Sequence, residues 1–124
     1  MTSKELLALH DSTCIECKQI MQTKNSDYTG GKNATDPFAN FKSSTVLGVH
    51  PVLGLLMRVL DKIQRIRSFV NDSELQVPNE SVEDAFNDII NYMILGKGLL
   101  MEERANVADE QGVQFLEPIP RYDD

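Results

Sequence analysis

The sequence predicts an all-α protein, and three observations support that class. In three long segments, apolar residues recur at spacings of three and four, which is the period of an amphipathic helix. No stretch shows the sustained alternation of apolar and polar residues that is typical of a β-strand. With 124 residues, the chain has room for one domain whose core needs no disulfide bonds. We therefore expect a compact antiparallel helical bundle of three main helices, with short helical pieces and an extended C-terminal arm.

The first helix is predicted to run from about Ser3 to Lys24, because its less polar residues repeat at helical spacing. A segment rich in Asn, Ser, Asp, Thr and Gly follows over residues 24–41 and predicts a long loop with turns. Loops of this length are usually functional or disordered. Phe38 and Phe41 indicate that the far end of this loop docks onto the core.

The two cysteines, Cys14 and Cys17, lie three residues apart within the first helix. Together with His10 they offer part of a zinc site, but this signal is weak, because a structural zinc needs four ligands and only His50 remains in the chain. A redox CxxC motif normally lies at a helix start in a βαβ unit, which this sequence does not predict. We therefore expect both thiols to be buried and to act as small hydrophobic groups. Because two cysteines make no disulfide framework, we also expect a reducing, cytoplasmic location.

The second helix is predicted to begin at Pro51, since proline suits the first helical position. Its apolar stripe is predicted to contain Val52, Leu55, Leu56, Val59, Ile63, Ile66 and Val70. The third helix is predicted to begin at Ser81, with Asp84 three residues later as the acidic member of a capping box. Its periodicity continues to about Arg104. The apolar face of the third helix is predicted to contain Val82, Phe86, Ile89, Ile90, Met93 and Ile94.

Two glycines, Gly96 and Gly98, interrupt the third helix and either weaken it or permit close packing against a neighbour. From Ala105 onward the periodicity fades, and a glycine and two prolines predict an extended arm. The predicted organisation is therefore a single helical domain over residues 1–104, followed by an acidic C-terminal arm over residues 105–124.

Acidic residues outnumber basic ones by nineteen to twelve, so the chain carries a net charge of −7. This balance argues against binding of long nucleic acids, which normally requires a basic surface. Seven acids and two bases lie in residues 102–124, so that segment carries −5 and the rest of the chain only −2. No apolar run approaches the roughly 18–20 residues of a membrane span, and the N-terminus does not resemble a signal peptide. We expect no membrane partner.

Two helices carry charged residues at spacings that align them on one face. On the second helix, these residues form a largely basic stripe of Arg58, Asp61, Lys62 and Arg65. On the third helix, they are Asp84, Asp88 and Asn91, with Glu80 and Glu83 one turn upstream. Two interpretations stay open. The faces are solvated or ion-paired, or they form a hard-cation site in which oxygen ligands hold Mg²⁺ and basic residues bind substrate phosphates.

The end of the first helix carries a further candidate group, Lys24, Asp27 and Tyr28. A nucleotide base can stack on the Tyr28 ring while the Lys24 ammonium group meets a phosphate. Lysine and asparagine are also typical of an ordinary helix C-terminus, so both interpretations stay open here.

Three blocks of residues stand in one order over about residues 14–95. They are Cys17-Lys-Gln-Ile-Met with Lys24-Asn-Ser-Asp27-Tyr28, then Arg58-x-x-Asp61-Lys62-x-x-Arg65-Ile66, then Glu80-Ser81-x-x-Asp84-x-x-x-Asp88-x-x-Asn91-Tyr92. This combination resembles the nucleotide modification associated domain family, whose members are small helical proteins found largely in phages and bacteria. The family is in turn similar to the all-α NTP pyrophosphatases, which include the MazG-like and dimeric dUTPase-like enzymes.

The resemblance to those hydrolases implies cleavage of a nucleoside triphosphate to the monophosphate and pyrophosphate, with acidic residues on two helices holding Mg²⁺ or Mn²⁺. The enzymes carry ExxE on one helix and ExxD on the next. This sequence departs from that pattern, because Arg58-x-x-Asp61 offers one acid and Asp84-x-x-x-Asp88 has another spacing. The departure weakens the expectation of catalysis more than that of nucleotide binding.

The resemblance also implies roles for the candidate residues. The catalytic carboxylates are Asp61, Asp84 and Asp88, which hold one or two metal ions together with Glu83. The phosphates are bound by Lys24, Arg58, Lys62 and Arg65. The sugar or base is positioned by Asp27, Tyr28 and Asn91.

Whether the protein is an enzyme therefore stays open. One hypothesis is a phage-type pyrophosphohydrolase of nucleotide metabolism in the cytoplasm of an infected host cell. Another is a nucleotide-binding or host-factor-binding protein without turnover, in which the carboxylates form ion pairs and the acidic tail binds a host protein. A third is a purely structural helical oligomer whose charges form bridges between subunits. We expect a homo-oligomer, because helical proteins of this size often build such sites between subunits.

Overall fold

The computed structural model describes residues 1–29, 36–72 and 81–110, with side chains described up to Asn25 in the first range and up to Asp109 in the last. Within these ranges the chain forms four α-helices, one 3₁₀-helix and no β-strand, which confirms the all-α class. In chain order the elements are α1 (Ser3–Thr29), α2 (Ala39–Lys42), the 3₁₀-helix (Ser43–Leu47), α3 (Pro51–Asp72) and α4 (Val82–Glu110).

Helix α1 begins with a reciprocal capping box and is longer than the periodicity predicts. The backbone N–H of Thr2 donates to a Glu5 carboxylate oxygen at 3.2 Å, and the N–H of Glu5 donates to Thr2 Oγ1 at 3.1 Å. The helix continues to Thr29 instead of ending near Lys24. The predicted loop is thus wrong over its first residues, because Asn, Ser and Asp disfavour a helix only mildly and no glycine occurs before Gly30.

Helix α4 also runs past its predicted end near Arg104, because no glycine or proline interrupts residues 105–110. Those residues are therefore helical and not part of an extended arm. Ala108 is buried near the observed end of α4 at Glu110. The predicted arm over residues 111–124 lies outside the described residues.

Helices α1 and α3 each run antiparallel to α4, as the predicted antiparallel bundle requires, and therefore parallel to each other. His50, just before α3, contacts Glu103 late in α4, whereas Lys62 in α3 contacts Asp88 early in α4. Helix α1 packs against the first half of α4, where the Asn91 side chain donates to the Cys17 carbonyl at 3.0 Å. The glycine at position 48 has a φ of 72° and ends the 3₁₀-helix, which allows the chain to turn into α3.

The core lies between α2, α3 and α4. Its buried cluster consists of Phe41, Leu55, Val59, Leu95 and Leu99. Phe38 packs against that cluster, so the predicted docking of both phenylalanines onto the core is confirmed. Burying each of these large side chains stabilises the fold by about 1.5–3 kcal/mol.

Gly98 permits the close approach that the glycine pattern predicts. A β-carbon at position 98 would lie 2.9 Å from Cζ of Phe38, which is closer than atoms pack in proteins. A β-carbon at Gly96 would lie 3.6 Å from Cδ2 of Leu55, which is an ordinary van der Waals contact. Of the two positions, only position 98 therefore requires glycine, because of the neighbouring Phe38 ring.

We expect Gly98→Ala to lower the free energy of unfolding by about 1 kcal/mol, because displacing the Phe38 ring costs more than the gain in helix propensity. The matched substitution Gly96→Ala should raise it by about 0.5–1 kcal/mol, because alanine fits there and favours the helix. Urea unfolding of both variants measures the difference. Equal effects of the two substitutions would contradict the packing described here.

Helices α3 and α4 each carry a second apolar stripe, which is exposed to solvent beside the core-facing residues. We call these the outer apolar stripes; they consist of Leu53, Leu56, Leu60 and Ile63 on α3, and of Phe86, Ile90, Met93 and Leu100 on α4. All eight side chains are exposed, although the sequence predicts several of them to face the core. A helix with two apolar sides is usually covered by other protein surfaces on both of them.

Within the described residues, no single helix is long and apolar enough to cross a membrane. Residues 39–47 and 51–72 are long and apolar enough for a membrane span only when they are taken together, and the two segments meet at a bend of 104°.

Candidate functional site

An open groove of about 540 Å³ lies on the surface beside α3 and α4. We call it the basic groove; it is lined by Met57, Arg58, Asp61, Lys62, Arg65 and Tyr92. The structure thus brings together all four charged residues that the helical spacing of α3 places on one face. Among its described side chains, helix α4 contributes the Tyr92 ring to the groove lining and no carboxylate.

The Asp88 carboxylate lies next to this groove, held between two lysines from two other helices. One oxygen lies 2.8 Å from Lys62 Nζ on α3, and the other lies 3.4 Å from Lys24 Nζ on α1. The side chains of Asp88 and Lys62 are only 13% and 14% exposed, whereas that of Lys24 is 44% exposed. A carboxylate this shielded from water requires opposite charge nearby. Asp88 is therefore an ion-pair centre that joins α1, α3 and α4.

The remaining charges of the groove are more exposed. Arg65 Nη2 lies 3.2 Å from an Asp61 carboxylate oxygen one helical turn away. The Asp61 side chain is 63% exposed, so this pair stabilises the helix only slightly, by about 0.3–0.5 kcal/mol. Asp61 and Arg65 thus remain in contact with solvent at the rim of the groove.

Arg58 is positioned by an aromatic ring that the sequence analysis assigned only to packing. Its guanidinium carbon lies 4.9 Å from the centroid of the Phe41 ring, in a cation–π contact. The same ring meets Tyr92 edge-on, with centroids 6.5 Å apart. The buried Phe41 thus supports two residues that line the groove. Two phenylalanines in a polar segment were the signal that marked this position.

Asp84 performs the structural role that its spacing from Ser81 predicts. The Ser81 N–H donates to an Asp84 carboxylate oxygen at 3.0 Å, and the Asp84 N–H donates to Ser81 Oγ at 3.2 Å. This reciprocal capping box at the start of α4 confirms the predicted box. The carboxylate is therefore engaged with the helix N-terminus and not with the basic groove.

Among the described residues, no three His, Cys, Asp or Glu side chains lie together in a way that could hold a metal ion. The structure therefore does not gather the predicted ligands Asp61, Glu83, Asp84 and Asp88 into one cluster. Asp88 is occupied by two ammonium groups and Asp84 by the capping box. These donors do not fit a resident divalent cation in this arrangement.

Asn91 lies in the contact between α1 and α4 and not in the lining of the groove. It is only 2% exposed, and its Nδ2 donates to the Cys17 carbonyl at 3.0 Å. Its Oδ1 is buried and has no hydrogen-bond partner in the part of the chain that is described. The predicted contact of Asn91 with a sugar or base therefore has no support from its position.

The two cysteines differ in their surroundings. Cys17 is buried, and this burial raises the pKa of its thiol, which stays protonated near neutral pH. Cys14 is exposed, with its sulfur 3.7 Å from Nδ1 of His10. The predicted burial is thus confirmed for Cys17 and wrong for Cys14, because no residue of α1 before Cys17 is buried.

Three predicted residues cannot be placed in the site. The backbone of Asp27 and Tyr28 belongs to α1, but their side chains lie outside the described residues. Glu80 lies outside them entirely.

A second charged cluster, which no sequence pattern indicated, lies beside a pocket of about 490 Å³. Lys42 Nζ lies 2.8 Å from an Asp36 oxygen and 3.0 Å from a Glu102 oxygen. The hydrogen bonds to Asp36 and Glu102 raise the pKa of Lys42. The hydrogen bond from Lys42 in turn lowers the pKa of Asp36. His50 Nε2 lies 2.6 Å from a Glu103 oxygen. Because most of these partners are far apart in sequence, no local spacing predicts the cluster.

A family model described as nucleotide modification associated domain 1 matches residues 54–99. The matched segment contains the charged residues of the basic groove and Asp88, but not Lys24. No curated protein and no solved structure matches the chain. The family match therefore applies to the pair of helices that forms the groove and covers less than half of the chain.

We expect Ser81→Ala and Asp84→Ala each to lower the free energy of unfolding by about 1 kcal/mol, because each removes one half of the capping box. The double variant should lose about the sum of the two, because each side chain accepts from the backbone N–H of the other residue, which alanine retains. Urea unfolding of the three variants measures these losses. Ser81→Thr, which keeps the hydroxyl group, is the control, and an unchanged free energy of unfolding in either alanine variant would contradict the capping box.

Proposed function

We propose that the basic groove binds a nucleotide through its phosphate groups. The observation that carries this proposal is the alignment of Arg58, Lys62 and Arg65 along one open groove, within the segment matched by a nucleotide-related family model. Arginine forks and lysine ammonium groups form strong charge-assisted hydrogen bonds with phosphate oxygens. The Tyr92 ring lines the same groove and offers an aromatic surface near those charges.

The charge arrangement favours binding without turnover over hydrolysis. Of the three carboxylates that the resemblance makes catalytic, Asp88 is held by two lysines and Asp84 caps α4. Both are thus used to hold the fold together. On this proposal the protein binds nucleotides in the cytoplasm, and phage nucleotide metabolism remains the context that the resemblance implies.

Metal-dependent nucleoside triphosphate pyrophosphohydrolysis is the second candidate, and one observation favours it. Asp61 lines the basic groove with a side chain that is 63% exposed, so its carboxylate is accessible to a metal-bound nucleotide. Mg²⁺ usually takes one or two carboxylates together with substrate phosphates. On this second candidate, the resemblance to the MazG-like enzymes that the sequence suggests would extend to activity.

Calorimetric titration of the full chain with the deoxy- and ribonucleoside triphosphates tests the first candidate. We expect Lys62→Gln and Arg65→Gln each to weaken binding about ten-fold, the loss of one charge-assisted hydrogen bond. The control is Lys97→Gln, which removes the same charge from an exposed position of α4 outside the groove lining. Equal affinities for all three variants would place the nucleotide elsewhere, and absence of binding by the unaltered protein would refute the proposal.

Pyrophosphate release in Mg²⁺ or Mn²⁺ tests the second candidate with the same triphosphates. Nucleotide binding without turnover is the result expected from the ion-paired Asp88 and the capping role of Asp84. Turnover that is abolished by Asp61→Asn would favour the pyrophosphohydrolase over binding without turnover. Asp72→Asn at the end of α3 serves as the matched control.

We also propose that a second copy of the chain covers the outer apolar stripes. Soluble helices seldom leave a whole apolar stripe exposed, and exposed apolar patches mark interaction sites. The spacing of Leu53, Leu56, Leu60 and Ile63 alternates between three and four, the pattern by which two helices pack side by side. A host protein bound through the acidic tail is the competing partner, and residues 111–124 of that tail lie outside the described residues.

Light scattering after gel filtration tests this self-association. We expect the unaltered chain to be oligomeric at micromolar concentration and Leu60→Glu to be monomeric, because the charge would be buried at the interface. Leu9→Glu is the matched control, since Leu9 and Leu60 are both 48% exposed but Leu9 lies outside the stripes. A monomeric unaltered chain would contradict the proposed interface.

A further inference from the structure

We propose that the basic groove takes the free nucleotide anion and not its magnesium complex. This inference rests on the proposed function, because it concerns how the same groove recognises phosphate. It starts from the ion-pair centre at Asp88, where each carboxylate oxygen faces one ammonium group. The distances are 2.8 Å to Lys62 Nζ and 3.4 Å to Lys24 Nζ.

Together, these two lysines bring to Asp88 the same charge as one divalent cation. The Asp88 and Lys62 side chains are only 13% and 14% exposed, so solvent and salt screen their attraction less than at an open surface. A magnesium ion at Asp88 would have to displace Lys62 or share the carboxylate with it, and two cations on one carboxylate repel each other. The lysines therefore take the place of the metal.

The charge of the whole region points the same way. Among its described side chains, four are basic and two are acidic; these are Lys24, Arg58, Lys62 and Arg65, with Asp61 and Asp88. The positive excess attracts phosphate and repels a free divalent cation. Asp61, the most exposed of these carboxylates, is itself paired with Arg65 at 3.2 Å.

Magnesium should therefore weaken the binding of a triphosphate to this groove. The ion coordinates phosphate oxygens and removes about two of the roughly four negative charges of the ligand. Those oxygens are then less available to lysine and arginine donors. A nucleoside monophosphate binds magnesium weakly and should be affected much less.

The experiment is calorimetric titration of the full chain with the four deoxynucleoside triphosphates and the matching monophosphates. Each is measured in EDTA and in millimolar magnesium chloride at equal ionic strength. We expect magnesium to weaken triphosphate binding about three-fold or more and to leave monophosphate binding nearly unchanged. An unchanged or tighter triphosphate affinity in magnesium overturns this inference and leaves the proposed nucleotide binding intact. Absence of binding in both buffers refutes the proposed function itself, and the inference with it.

A substitution at Lys24 provides a second, independent test. Its side chain is 44% exposed, so Lys24→Gln should fold, and it removes one of the two cations at Asp88. We expect this variant to bind the free triphosphate several-fold more weakly and to lose part of the magnesium penalty. Lys18→Gln, an exposed position on the same helix, is the matched control. Triphosphate binding that is tighter in magnesium than in EDTA only for Lys24→Gln would support the inference, because it would show that Lys24 excludes the metal in the unaltered chain. An identical response of Lys24→Gln and Lys18→Gln would contradict it.

Discussion

The contact on which this architecture depends is the pairing of one shielded carboxylate with two lysines. Asp88 of α4 meets Lys62 of α3 and Lys24 of α1, so a single side chain joins the three long helices. Removing one partner of such a group is costly, because the remaining charge keeps its desolvation penalty without its attraction. The same contact sets the chemistry of the groove, since the carboxylate that a metal would use already has two cations. The same residue therefore joins the helices and shapes the proposed phosphate site.

A second constraint comes from the aromatic residues beneath the groove. The buried Phe41 ring holds the Arg58 guanidinium above it and contacts Tyr92 at its edge, so the hydrophobic core supports a charged site directly. Phe38 is seated against α4 because Gly98 leaves room for its ring. Phe38, just before α2, and Phe41, within it, thus connect core packing to the proposed phosphate site. Polar groups placed by a rigid apolar support lose less conformational freedom on binding a ligand.

The two apolar sides of α3 and α4 explain why periodicity predicted the helices better than their orientation. Helical spacing correctly indicated that both segments are helices, and it identified Leu55 and Val59 as core residues. The same spacing also marked Leu56 and Phe86, which are exposed on the outer apolar stripes. A repeat of three and four is a property of one helix alone, and it does not record which side meets the other helices of the same chain.

The sequence by itself determined the all-α class, the starts of α3 and α4, the capping box at Ser81 and the alignment of charges along α3. These features are local, because they depend on residues within a few positions of one another. The tertiary structure alone decided which carboxylate meets the lysines of two other helices. Asp88 pairs with Lys24 across a separation of 64 residues, whereas Asp84 pairs with its own helix start. Asp84 and Asp88 lie one turn apart on the same helix but have different partners. The reason is that packing, and not local spacing, decides which residues distant in sequence meet.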